Sequence, residues 1–163
     1  MDTLASLGSA VAEQLRARNQ TVAVAESSAG GLINAILVAV PGASTYYLGG
    51  AVIYTASSRS GILGITPQDM KDMRSATEPF AQLLARRVRE KTRATWGLAE
   101  TGATGPLGNR YGDAPGHACL SVSGPFEKTI TIETGSADRE ANMHVFARKA
   151  LELLESCVRQ GAR

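Results

Sequence analysis

Aromatic residues, cysteine and histidine are all scarce in this chain. Only 5% of its 163 residues are Phe, Trp or Tyr, and it holds two cysteines and two histidines. Cys119 and Cys157 sit in apolar surroundings without CxxC or Cys/His spacing. That argues against a metal motif or a disulfide framework and for reduced core thiols in a cytoplasmic protein. His117 and His144 have no partner at ligand spacing, so each reads as structural and no metal is expected. Net charge is small: 17 Lys and Arg against 15 Asp and Glu leave +2, too little to argue for nucleic acid or an anionic membrane as partner. No apolar run approaches the length of a membrane span. The opening MDTLASLGSAVAEQL lacks a basic leader and a continuous apolar stretch, so it does not read as a signal peptide. Repeats, low-complexity tracts and Ser/His/Asp or Cys/His catalytic motifs are missing as well.

What is present is the composition of an ordinary globular protein, 44% apolar and 20% charged. The length suits one domain, expected to span 1–163, with enough chain to bury a sizeable core. Helical periodicity predicts an amphipathic helix over 3–18 and a buried one from about Gly30 to Val40, stopped by Pro41-Gly42. Ser44 to Leu48 reads as a loop or short helical turn. Further helices are predicted at Ala56–Leu63, from Thr77-Glu78-Pro79 to about Lys91, and over 136–160. Strands are predicted at 21–25, 50–55, 95–99, 117–122 and 128–134, the last two joined as a hairpin. Glu100 to Gly116 reads as a long loop, and long loops in compact domains are usually functional or disordered. The order implies a sheet covered by helices on both faces, with a terminal hairpin that makes it mixed.

The stretch TVAVAESSAGG, Thr21 to Gly31, turns abruptly from a buried strand into a helix. Such a turn delivers backbone N–H groups and small hydroxyls to the carboxyl edge of the sheet, where open α/β sheets bind ligands. Ser27 or Ser28 could equally serve as a helix cap. Other polar residues fall near predicted strand ends: Tyr54-Thr55 with Arg59 downstream, Glu78, and Glu100-Thr101 with Thr104. If those strands are neighbours, hydroxyl, carboxylate and guanidinium groups share one cleft with Glu26-Ser27-Ser28. The segment TGATGPLG, Thr101 to Gly108, fits a dinucleotide glycine pattern. Its context rejects that reading, since NRYGDAPG cannot form the required helix. A glycine-rich loop approaching a ligand with its backbone is the better expectation. The basic residues Arg86, Arg87, Arg89, Lys91 and Arg93 read as a solvated helix face.

Five motifs in order, VAVAESSAGGLI, VPGAS, GGAVIYT followed by ILGI, SATEP and ETGATGP, make the chain resemble the C-terminal domain of the CinA family. The best-understood members are nicotinamide-nucleotide amidases, which convert nicotinamide mononucleotide to nicotinic acid mononucleotide and ammonia. The resemblance implies a three-layer α/β/α sandwich with a mixed, mainly parallel five-stranded sheet. It also implies a homodimer, a small nucleotide as substrate and no cofactor. Carried over residue by residue, it makes Ser27 the candidate nucleophile, with Arg59, Glu26 and Tyr54 as further catalytic candidates. Ser28, Gly30, Gly31, Ser44, Glu78, Thr101, Gly102, Thr104 and Gly105 become candidate substrate contacts. The chain departs from the family's pattern where ESCTGG reads ESSAGG, where TYSNEAK reads IYTASSR, and where SGIAGP reads TGATGP after Glu100. Arg59 stands where a lysine is usual. A serine nucleophile needs a proton acceptor, and arginine stays protonated. The expectation is therefore that Glu26 or Glu78 serves as base, or that the pocket binds its nucleotide with weak or absent turnover.

Overall fold

The computed structural model describes residues 3–161, so the first and last two residues of the expected 1–163 span lie outside the described residues. The chain order is α1 (Leu4–Ala17), β1 (Val22–Glu26), α2 (Leu32–Val38), a 3₁₀ turn (Ala43–Thr45), β2 (Tyr47–Val52), α3 (Ala56–Leu63), α4 (Glu78–Thr92), β3 (Trp96–Ala103), β4 (His117–Ser123), β5 (Lys128–Glu133) and α5 (Arg139–Gln160). The strands form one sheet in the order β2-β1-β3-β4-β5. β1 lies parallel to β2 and β3, and β4 is antiparallel to β3 and β5, so only β4 runs against the rest.

Alternation of side chains across the sheet builds two cores. Val22 and Val24 of β1, with Trp96 and Leu98 of β3, face α1, α2 and α5. Ala23, Ala25 and Ala99 face α3 and α4, together with Ile53, Phe80 and Leu84. Small residues on that second face let α4 come close. An added Cβ at Gly97 would meet the Ala85 carbonyl oxygen at 2.1 Å. Trp96 is fully buried, donates its indole N–H to Gln20 Oε1 at 2.9 Å and meets Phe126 edge-on at 5.6 Å.

Helix starts follow local side chains. Thr3, Thr77 and Asp138 accept from backbone N–H groups of the first turns of α1, α4 and α5, and Thr55 forms a capping box with Ser58 at α3. Beyond shifts of a few residues at helix ends, two strands differ from the sequence reading. β2 spans Tyr47–Val52 rather than 50–55, so Tyr54 and Thr55 leave the sheet to start α3. Gly49-Gly50 reads as a poor strand, yet parallel pairing to β1 holds it. β3 continues through Glu100, Thr101 and Gly102 to Ala103 because β4 pairs with it over its whole length, from Gly97 opposite Ser123 to Ala103 opposite His117. The expected loop over 100–116 thus begins only after Ala103.

Candidate functional site

α2 is capped from outside. β1 ends on Glu26, whose side chain is fully buried. Its Oε1 accepts from Gly31 N at 2.7 Å and Ile33 N at 3.3 Å, and its Oε2 accepts from Asn34 N and Asn34 Nδ2, both at 2.8 Å. This satisfies the orphan donors of the first turn with a charge that suits the helix dipole. The turn needs Gly30 at φ 68° and Gly31 at φ 102°, which only glycine adopts without strain. Burial pushes the Glu26 carboxyl upward, opposed by these N–H donors. Both oxygens are taken up by nitrogen donors, and Glu26 does not line the neighbouring cavity. Its geometry is that of a cap, not the base expected from the sequence.

A second buried carboxylate, Glu100 of β3, reaches across to the same turn from the adjacent strand. Its Oε2 accepts from Ser27 N at 3.0 Å and Ala29 N at 2.9 Å, and its Oε1 accepts the Ser28 hydroxyl. Burial raises its pKa most strongly. The Ser28, Ala29 and Ser27 donors pull it down, and the nearby Glu26 charge adds to the rise.

Beside this turn lies a cavity of about 280 Å³ at the carboxyl ends of β1 and β3. There the chain leaves β1 toward one edge of the sheet and leaves β3 toward the other. That is the crevice where α/β sheets accommodate ligands. Ser27, Ser28, Tyr54, Arg59, Thr101, Gly102, Thr104 and Gly105 all line it. Of these, Thr101 Oγ1 accepts from Ala76 N at 3.1 Å and the Thr104 carbonyl accepts from Asn142 Nδ2 at 2.8 Å, so both are committed to holding the wall. Gly30, Gly31, Ser44 and Glu78 do not line it. Gly30 and Gly31 shape the turn. Ser44 is exposed in the 3₁₀ turn at the amino end of β2. Glu78 accepts from Thr131 Oγ1 of β5 at 2.6 Å.

Among the described residues no acidic side chain lines the cavity, but two arginines do. Arg59 donates to Ser75 Oγ at 2.9 Å and lies over the Phe80 ring. Arg139, first residue of α5, donates to the Gly105 carbonyl at 2.7 Å and to Tyr54 Oη at 2.9 Å. Among the described residues neither is paired with a carboxylate, and the Ser27 hydroxyl has no hydrogen-bond partner. The sequence reading places Glu100 among the strand-end polar groups of the cleft but gives it no catalytic or binding role, and it does not single out Arg139, which nothing local marks.

The loop over 104–116 is held at Asp113, which accepts from Arg74 Nη1 at 2.7 Å and Asn109 Nδ2 at 2.7 Å. The Arg74 hydrogen bond holds the Asp113 carboxyl below its usual range. His117, buried nearby, places Nδ1 2.5 Å from Glu133 Oε1 and Nε2 2.8 Å from the Ala76 carbonyl. Both neighbours are acceptors, so both ring nitrogens carry protons. Burial disfavours the imidazolium, but Glu133, the Ala76 carbonyl and Asp113 outweigh it and raise the pKa. The basic face of α4 is not a free patch: Arg86 pairs with Glu127 and Arg87 with Asp69. Cys119 and Cys157 are free and buried. Among the described residues no group of three or more His, Cys, Asp or Glu could hold a metal ion, and no helix is long and apolar enough to cross a membrane.

Known proteins share this architecture. The competence-damaged protein (CinA) superfamily protein from Escherichia coli aligns at a TM-score of 0.88 and 26% identity, covering 94% of this chain and 90% of its own. The competence or damage-inducible protein from Enterobacter asburiae aligns at 0.90 and 23% identity over 97% and 99%, a likeness of fold alone. The CinA-like protein of Trichormus variabilis is 33% identical over 152 residues, covering 91% of this chain and 36% of that protein. The CinA-like protein of Gloeobacter violaceus is 37% identical over 155 residues, covering 94% and 36%. The chain thus spans little more than a third of the length of these curated relatives. The sequence profile described as CinA C-terminal domain matches residues 4–158, and on that match the chain belongs to the CinA C-terminal domain family.

Proposed function

We propose that this protein is an amidohydrolase that deamidates nicotinamide mononucleotide or a related carboxamide-bearing nucleotide, acting in the cytoplasm as a homodimer. The observation that carries the reading is the pairing of Ser27-Ser28 with Arg59 and Arg139 in a cavity whose lining, among the described residues, holds no acidic side chain. Unpaired guanidinium groups suit a phosphate, which they bind through two parallel hydrogen bonds. The exposed Leu107 and Tyr111 in the lining offer the apolar surface a pyridine ring needs. In this reading Tyr54 and Arg139 orient the ligand, and Gly102, Thr104 and Gly105 approach it with their backbone. The exposed Leu48 and Val52 on edge strand β2 support a second copy docking there.

A second reading is favoured by one observation: among the described residues no base reaches the Ser27 hydroxyl. The pocket would then bind a nucleotide without turning it over. Ammonia release from nicotinamide mononucleotide by the purified protein, measured beside calorimetric binding, separates the two. Binding with release supports the hydrolase, and binding alone supports the carrier. Loss of both sinks the nucleotide reading. Arg59→Lys tests whether a lysine there would add a base: turnover should rise with binding little changed. Normal wild-type turnover abolished by Arg59→Lys would instead make Arg59 a specific part of the site. Light scattering of the purified chain tests the dimer.

A further inference from the structure

We infer that Ser28 is a nucleophile and Glu100 the base that activates it. The inference rests on the carboxamide-hydrolase reading of the same cavity. A usable nucleophile needs an acceptor within hydrogen-bond reach, held by something else. Ser28 has one. Its hydroxyl donates to Glu100 Oε1, while Ser27 N and Ala29 N clamp Oε2 at 3.0 and 2.9 Å. Ser28 is 7% exposed and lines the cavity, whereas Glu100 is fully buried behind it, so the hydroxyl can meet a ligand while its base is shielded from bulk solvent.

The other carboxylates around the cavity are excluded by their partners. Glu26 is held by nitrogen donors on both oxygens and Asp113 by Arg74 and Asn109, while Glu78, bonded to Thr131, neither lines the cavity nor bonds Ser27 or Ser28. The two arginines in the lining cannot accept a proton. Burial raises the Glu100 pKa, which strengthens the carboxylate as a base. The carboxylate comes from β3 where Glu100 pairs with Leu120 of β4, one residue past the last β1 pair at Ala99, so its backbone is held in place.

The proton balance closes. Glu100 Oε1 takes the Ser28 proton as Oγ bonds to the carboxamide carbon. Collapse of the tetrahedral species breaks the C–N bond, and the departing ammonia takes that proton from Glu100. Water then gives a proton to Glu100 and attacks the ester carbon. The ester C–O bond breaks and Ser28 Oγ recovers its hydrogen. The sum is carboxamide plus water to carboxylic acid plus ammonia.

The test labels the intact protein with a serine-directed fluorophosphonate and maps the adduct by peptide mass spectrometry. Ammonia release and calorimetric binding of nicotinamide mononucleotide are measured in parallel. The adduct is expected on Ser28 in wild type. The labelling rate should fall as pH is lowered through the carboxyl titration, and about 10²–10⁴-fold in Glu100→Gln. Ser28→Ala should bind the nucleotide without releasing ammonia. An adduct on Ser27, no adduct at all, a wild-type labelling rate indifferent to pH, or ammonia release by Ser28→Ala would each overturn the pair. The wild-type pH profile needs no folded Glu100 variant. Labelled Ser28 without nucleotide binding upholds the pair and sinks the nucleotide reading. Hydrolysis with the label on Ser27 does the reverse.

Discussion

Two neighbouring strands hold the same residue in the same burial and use it differently. Glu26 at the end of β1 and Glu100 in β3 are both fully buried, and neither has a cation as partner. Glu26 accepts only from N–H groups, two on each oxygen, and turns the charge into a cap for α2. Glu100 gives one oxygen to two N–H groups and the other to a hydroxyl on the cavity wall. A hydroxyl differs from an N–H because it can accept as well as donate, and because it can lose its proton and become a nucleophile. Burial alone therefore does not mark a functional acid. What marks it is a partner that can change its protonation.

The largest effect should come from Glu26→Gln. An amide keeps one accepting oxygen, so its NH₂ must face two N–H donors. With about 1–3 kcal/mol for each buried group left unpaired, a loss near 3 kcal/mol is expected in urea unfolding. Glu100→Gln can turn its carbonyl to Ser27 N and Ala29 N and its NH₂ to the Ser28 oxygen, and should cost less than about 1 kcal/mol at neutral pH. Equal losses for the two variants would dissolve the comparison.

The next effect is on pH dependence. The folded pKa of Glu100 is raised, so its contribution is fully present below the unfolded carboxyl value of about 4.3 and is lost as pH rises through the folded value. Across that window wild type should lose stability relative to Glu100→Gln. Parallel profiles would show that the carboxyl is ionised at no cost.

His117 provides the cationic counterpart. Its folded pKa is also raised, so its contribution is complete below about 6.5 and disappears as pH rises through the folded value. Half-exposed Glu133 keeps the effect small, about 1 kcal/mol. His117→Gln should remove the pH dependence in that range, and a variant that keeps it would place the titration elsewhere.

The smallest effect is expected at Glu127, an exposed carboxylate that does have an arginine partner, Arg86. Glu127→Gln should cost about 0.2–1 kcal/mol and less in high salt. A loss as large as that of Glu26→Gln would mean that pairing, not burial, sets what these carboxylates contribute.

The sequence by itself determined the element order and a sheet covered on both faces, because periods of 3.6 and 2 in apolar residues are local properties of helix and strand. It also marked the strand-to-helix turn at Glu26 to Gly31, since glycine and small polar residues there have few other uses. Strand ends escaped it. The run Glu100-Thr101-Gly102 has the composition of a loop, and only pairing with β4, contributed by residues 117–123, makes it strand. Gly49-Gly50 became strand in the same way, through β1. The roles of the two glutamates were decided by tertiary structure alone. Whether a carboxylate meets N–H groups or a hydroxyl depends on which strand lies beside it. β3 comes to lie next to β1 through a crossover of more than forty residues. Arg139, 85 positions from the Tyr54 whose hydroxyl it holds, reaches the cavity for the same reason. No local pattern encodes a contact between segments that only the packing of α5 over the sheet brings together.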